Sequence, residues 1–250
     1  MKTKIFLRSV ALASIVAVST VAQAQVTVGT FTGSAAGQGL DLQGNFNYAL
    51  TFNPDAAGTT LGDATFTNAF TTSRITVENQ NYIQNWYPGT YTDSANDIAL
   101  GQVMQSIVWS SSNGNADSQV VTLSMSGLTV GQTYKTQLLF AEACCNRGFN
   151  VYQDGTKISS ELSPYMLTGN NSFNDTESVV LTDTFMAMSS SVIFGFGGTS
   201  SLHADNNPIL NAATLENVSA VPEPESYSML LAGLGLMGFM KRRKSAKKAA

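Results

Sequence analysis

The heptapeptide Tyr134-Lys-Thr-Gln-Leu-Leu-Phe140 limits the folds open to this chain more than any other stretch. On an extended backbone Tyr134, Thr136, Leu138 and Phe140 share one face while Lys135 and Gln137 share the other, the pattern of a strand with one side against a core. Short runs of the same kind, rich in β-branched and aromatic residues, recur at residues 26–31, 46–52, 120–125, 178–185, 192–196 and 213–218, separated by clusters of Gly, Asn, Asp and Ser. Two more runs flank Asp154-Gly155, a dipeptide that favours a two-residue primed turn, so a hairpin is expected over residues 150–158. The body of the chain therefore reads as all-β.

One segment departs from that reading. Leu100, Val103, Met104, Ile107 and Val108 recur at i, i+3, i+4, i+7 and i+8, which predicts a single short helix over residues 96–110, capped by Asn96 or Ser94, with its apolar stripe packed on a sheet. No repeat of fixed period and no internal linker is apparent, so residues 25–220 are expected to form one domain.

The two ends have a different character. Lys2, Lys4 and Arg8 precede an apolar stretch at residues 10–21, and Ala22 and Ala24 then supply small residues at the positions a signal peptidase reads. That stretch spans only ~18 Å as a helix against a hydrocarbon layer of ~30 Å, so residues 1–24 are expected to be a signal peptide cleaved after Ala24. Near the other end residues 226–240 carry no charge and would span ~22 Å as a transmembrane helix. Behind them the basic run from Lys241 through Arg242 and Arg243 to Lys248 would stay cytoplasmic, leaving the body outside.

Val221-Pro222-Glu223-Pro224, the short apolar helix and the Arg-rich tail together resemble the PEP-CTERM sorting signal of Gram-negative bacteria that make exopolysaccharide. The resemblance covers residues 221–250. It implies an exosortase, a membrane cysteine transpeptidase, that cuts near Pro222, Glu223 and Pro224 and passes the protein from the inner membrane to the cell surface or extracellular matrix.

With both ends removed, composition changes meaning. The whole chain carries −4, but residues 25–220 hold only Arg74, Lys135, Arg147 and Lys157 as bases against fifteen acids, a net charge of −11. That excludes nucleic acid, whose binding needs a basic footprint, and leaves neutral sugars, cations and proteins as partners.

A second resemblance is carried by Leu138-Leu-Phe-Ala-Glu142, Arg147-Gly-Phe-Asn-Val-Tyr-Gln-Asp-Gly155 and Asn207-Pro-Ile-Leu-Asn-Ala-Ala-Thr-Leu215. These segments are similar to the strand pattern of malectin-like domains, a branch of the galactose-binding-like jelly rolls, with Asn150 standing where that pattern has Asp. The resemblance implies a jelly-roll β-sandwich and, in some relatives, carbohydrate binding. Phe140, Phe149 and Val151 would then be core, and Arg147 a buried partner of Glu142.

Binding chemistry concentrates between residues 82 and 91, where Tyr82, Trp86, Tyr87 and Tyr91 stand beside Asn85 and Gln84. Aromatic faces stack on sugar C–H groups and amides meet sugar hydroxyls, so Tyr82, Asn85, Trp86, Tyr87 and Tyr91 are the candidate ligand-binding set. Cys144 and Cys145, adjacent in an exported chain, are candidates for a vicinal disulfide, with free thiols or an intermolecular link as alternatives. Asp93, Asp97 and Asp205 lie in Asn/Asp-rich segments that offer hard oxygens to a structural calcium, although such clusters also serve as turns. No other cofactor is expected. His203 is the sole histidine and no Ser stands in a nucleophile elbow, so no catalytic residue is assigned and the chain is not expected to be an enzyme. Two functions follow as expectations: a non-catalytic module that binds exopolysaccharide, or a passive structural protein of the surface or biofilm matrix.

Overall fold

In the computed structural model the described residues are 25–78, 80–86, 89–91, 94–110, 119–168, 176–197, 205–218 and 232–234. The signal peptide, its Ala22 and Ala24, and the sorting residues Pro222, Glu223, Pro224, Arg242 and Arg243 lie outside them. The expected membrane helix does too, except for Ala232, Gly233 and Leu234, which are helical. Among the described residues no helix is long and apolar enough to cross a membrane.

The first half of the body contains β1 (Gln25–Phe31), β2 (Phe46–Thr51), β3 (Thr60–Leu61), β4 (Ala64–Thr65), β5 (Thr67–Asn68), β6 (Ile75–Glu78), β7 (Asn81–Ile83), α1 (Ala95–Met104) and β8 (Ile107–Trp109). The second contains β9 (Val121–Ser126), β10 (Thr133–Phe140), β11 (Phe149–Gln153), β12 (Thr156–Leu162), α2 (Pro164–Leu167), β13 (Ser178–Met186), β14 (Ser191–Gly197), β15 (Ile209–Leu210) and β16 (Ala212–Asn217). A six-stranded sheet in the order β1-β13-β10-β16-β2-β5 packs against a five-stranded sheet in the order β12-β11-β14-β9-β6, and β15-β8-β7 form a third, smaller sheet. The result is a β-sandwich: the alternating runs predicted its strands, and the malectin-like resemblance implied its jelly-roll form.

Packing follows from the pleat. Tyr134, Leu138 and Phe140 of β10, Leu181 and Phe185 of β13, and Leu215 of β16 meet Leu123 of β9, Val151 of β11 and Phe194 and Phe196 of β14 in the interior between the sheets. The opposite face of the large sheet is covered as well. There Leu139, Val180 and Ala212 pack with Leu100, Val103 and Met104 of α1 and with Phe31, Leu61, Phe66 and Tyr91. This second layer buries Gln137 on the face expected to be open, and the amide is satisfied by Asp41, whose backbone N–H donates to Oε1 at 3.0 Å and whose carbonyl accepts from Nε2 at 2.5 Å. Beside it Lys135 pairs with Asp41 at 2.7 Å and with Glu216.

The 150–158 hairpin forms as expected. Asp154 (φ 47°) and Gly155 (φ 82°) both take the left-handed region that a primed turn requires, and the Asp154 carboxylate accepts from the Ile193 amide at 2.9 Å.

The helix differs from its expected length. Ser94 is its N-cap, accepting from the Asp97 amide at 3.2 Å, but the helix ends at Met104 rather than continuing to residue 110. Ile107 and Val108 instead form β8, pairing with β7 and β15. Both are β-branched and fully buried in a three-stranded sheet, so burial that the 3.6-residue period attributed to a helix is achieved in extended backbone. A second short helix, Pro164–Leu167, also forms where none was expected, opened by Pro164 in its first turn and the Ser163 side chain as cap.

One charged side chain shares the interior. Asp183 of β13 lies cross-strand from Thr136 and Val26, on the face that carries Leu181 and Phe185. Neither of its carboxylate oxygens has a hydrogen-bond partner among the described residues.

Candidate functional site

Arg147 organises one end of the sandwich. It precedes β11, where its backbone forms an isolated parallel bridge to Asp205, and its side chain is almost wholly buried. Nε pairs with Glu142 Oε2 at 2.7 Å, Nη1 pairs with Asp205 Oδ2 at 3.2 Å and donates to the Asn207 carbonyl at 3.2 Å, and Nη2 lies 3.5 Å from Cys144 Sγ. The guanidinium carbon stands 5.5 Å from the centroid of the Trp86 ring. Three loops, around residues 86, 142–147 and 205–207, are thus held by one cation.

Glu142 completes the latch from the other side. Its Oε1 accepts from the backbone amides of Ala143, Cys144 and Cys145 at 2.9–3.1 Å. Burial pushes the Glu142 carboxyl above the ordinary range, outweighing the Arg147 guanidinium and the three amides that pull it down. Cys144 and Cys145 are joined as a disulfide between neighbours, with Cα atoms 3.7 Å apart. Glu142, Cys144 and Cys145 are the one group of three metal-type ligands among the described residues. With both sulfurs bonded to each other and the carboxylate engaged by amides and Arg147, the group has no donor set to offer an ion.

The described aromatic candidates each pack against different partners. Trp86 is half-buried against Arg147 and packs on both core layers. Tyr91 is buried, stacked on Phe31 with ring centroids 5.6 Å apart, and its hydroxyl shares a hydrogen bond with Ser178 Oγ at 2.8 Å. Tyr82 is 37% exposed, edge-on to Phe70 at 5.5 Å, and its hydroxyl lies 3.4 Å from Ser106 Oγ. Asn85 takes a left-handed conformation (φ 55°) that turns the chain before Trp86. Gln84 donates to Asp55 at 2.9 Å. Tyr87 lies outside the described residues.

The calcium candidates are engaged by separate partners. Asp97 accepts from the Ser34 amide and hydroxyl and from Ser94 Oγ, at 2.8, 3.1 and 2.6 Å. Burial works to raise its carboxyl, but the hydrogen bonds from Ser94 and Ser34 prevail and hold it below the usual range. Asp205 pairs with Arg147 and accepts from the Asn207 amide. Asp93 lies outside the described residues.

An open polar groove of about 590 Å³, which the sequence did not single out, runs beside β2. Phe46, Asn47, Tyr48, Thr67, Thr72 and Arg74 are among its lining residues, with Asp63 and Gly127. These side chains are contributed by segments separated by up to eighty residues, so no local motif could have announced them.

Residues 220–244 match the family model of the PEP-CTERM protein-sorting motif, which implies an exosortase-processed surface protein. No curated protein sequence matches the chain. Among solved structures the chain is similar to the plant receptor-like kinase ANX2, at 13% identity and a TM-score of 0.52, covering 79% of this chain and 50% of that one. It is likewise similar to the ANX2 and ANX1 ectodomains from Arabidopsis thaliana, each at 13% identity and a TM-score of 0.50, covering 79% of this chain and 52% and 50% of theirs. The chain spans about half the length of these ectodomains, and what it shares with them is the malectin-like sandwich fold.

Proposed function

We propose that this protein is a non-catalytic module that binds exopolysaccharide after export through the inner membrane of a Gram-negative bacterium and release by exosortase at the cell surface. The observation that carries the reading is the joining of a PEP-CTERM motif at residues 220–244 to a malectin-like sandwich. Its loops supply the chemistry a sugar needs: a half-buried indole on a rigid base at Trp86, an exposed phenol at Tyr82, and amides at Asn85 and Gln84. A binding protein for a surface polymer has no use for an anionic-lipid or nucleic-acid footprint, and a body at −11 lacks one.

Affinity electrophoresis of the protein through gels containing polysaccharide from the producing cell tests the reading. Retardation by that polymer is expected, weakened in Trp86→Ala with the melting transition retained. Migration unaffected by any matrix polysaccharide would instead favour a passive structural role.

A further inference from the structure

The groove beside β2 is built around an arginine in an unusual state. Arg74 has φ 68°, a backbone region that side chains other than Gly, Asn and Asp rarely occupy. Two hydrogen bonds hold it there, the Ser126 amide and hydroxyl donating to its carbonyl at 3.0 and 3.1 Å. The guanidinium lies so close to Gly127 that a Cβ at that position would come within 2.7 Å of Nη1. Gly127 itself has φ 89°. Backbone and neighbour are both shaped to set this side chain at the groove.

Its electrostatic state is equally distinct. Lys135 pairs with Asp41 and Glu216, and Arg147 with Glu142 and Asp205. Arg74 forms no ion pair among the described residues, although the body carries fifteen acids. Even Asp63, which also lines the groove, is turned to the Gly44 amide, from which it accepts at 3.0 Å.

The rest of the lining is hydroxyls, an amide and aromatic rings. Tyr48 is fixed by donation from its hydroxyl to the Ser126 carbonyl at 2.5 Å, and Thr72 Oγ1 donates to Thr67 Oγ1 at 2.9 Å. Asn47 is exposed at the point where the β2–β16 register shifts between Leu215 and Glu216. A planar fork of donors, a set of neutral hydroxyls and a ring wall together match a sugar that bears one carboxylate.

We propose that this groove binds a uronic-acid unit of a saccharide, the Arg74 guanidinium engaging its carboxylate while Asn47, Thr67 and Thr72 meet its hydroxyls and Tyr48 its apolar face. The proposal rests on the exopolysaccharide reading above and gives it a ligand class and a second site, apart from Trp86. The body's net charge of −11 narrows the ligand further. A densely charged polyuronate would be repelled, so the groove suits isolated carboxylates in an otherwise neutral polymer.

Cellobiouronic acid and cellobiose differ only in a carboxylate against a hydroxymethyl group, and titration calorimetry of the full-length chain in detergent with each tests the assignment. The acid is expected to bind about tenfold or more tightly than the neutral sugar, with the preference abolished in Arg74→Gly and reduced in Arg74→Lys. Glycine suits the backbone of position 74, so Arg74→Gly should melt within a few degrees of the parent. No measurable binding of cellobiouronic acid, equal binding of both sugars, or a preference unchanged in Arg74→Gly would overturn the assignment. If matrix polysaccharide still retards the protein on affinity gels in that event, only the groove is refuted. If it does not, the exopolysaccharide reading falls as well.

Discussion

Replacing Asp183 with Asn is expected to change the pH dependence of stability more than stability at any one pH. The Asp183 carboxyl is fully buried between the sheets, without a hydrogen-bond partner among the described residues. Burial, reinforced by the negative charge of Asp154, pushes it from 3.8 up to about 6. Because the folded-state value lies above the unfolded one, the protonated form favours the fold. The group carries no penalty below about pH 4, and the penalty grows as pH rises until it is complete just above 6. A displacement from 3.8 to about 6 corresponds to about 3 kcal/mol at about 1.4 kcal/mol per pH unit. An Asn amide at the same place is also unsatisfied and costs roughly 1–3 kcal/mol, but by an amount independent of pH. Urea unfolding of parent and Asp183→Asn between pH 4 and 7.5 reads the difference directly. The variant should gain about 3 kcal/mol on the parent across that range, or about 1.5 M in midpoint at a slope of roughly 2 kcal/mol/M. A difference between the two that stays flat with pH would refute the reasoning.

Other perturbations follow from the same packing. Arg147→Met leaves Glu142 buried without its cation and should destabilise by about 3–5 kcal/mol, seen as an earlier thermal transition that is partly restored by the second change Glu142→Gln. Phe140→Ala, at a fully buried ring that meets Phe149 and Phe196, should lower the urea-derived stability by about 3–5 kcal/mol.

Alternation made the sandwich legible. In β10 each second residue faces the other sheet, and Asp154-Gly155 named its own turn because few other dipeptides accept two positive φ angles. The α1–β8 junction was misread because Ile107 and Val108 continue the helical spacing by coincidence, and nothing local distinguishes one buried geometry from the other. The ion pair between Arg147 and Glu142 was anticipated from the family pattern, whereas its capture of Trp86 and Asp205 depends on loops far apart in the chain. The aromatic cluster at residues 82–91 was visible as composition, but not that Tyr91 turns to Phe31 while Tyr82 stays near solvent. Tyr48, Thr72, Arg74 and Gly127 each looked ordinary in sequence, and only the closing of β2 and β6 on the turn after β9 assembles them. Asp183, between two threonines, carried no local sign of burial; it sits between the sheets because alternation along β13 puts it on the same face as Leu181 and Phe185.

The position of β16 has a consequence for biogenesis. This strand, residues Ala212–Asn217, sits in the middle of the six-stranded sheet between β10 and β2, directly upstream of the sorting motif. Until it is available, β10 can pair only with β13 and β2 only with the short β5, and contacts spanning more than 160 residues, which join the two halves of the sheet, must close last. On the export route proposed above, translocation and completion of the fold would be coupled at the final step, the tail that follows keeping the chain tethered while its central seam is sewn.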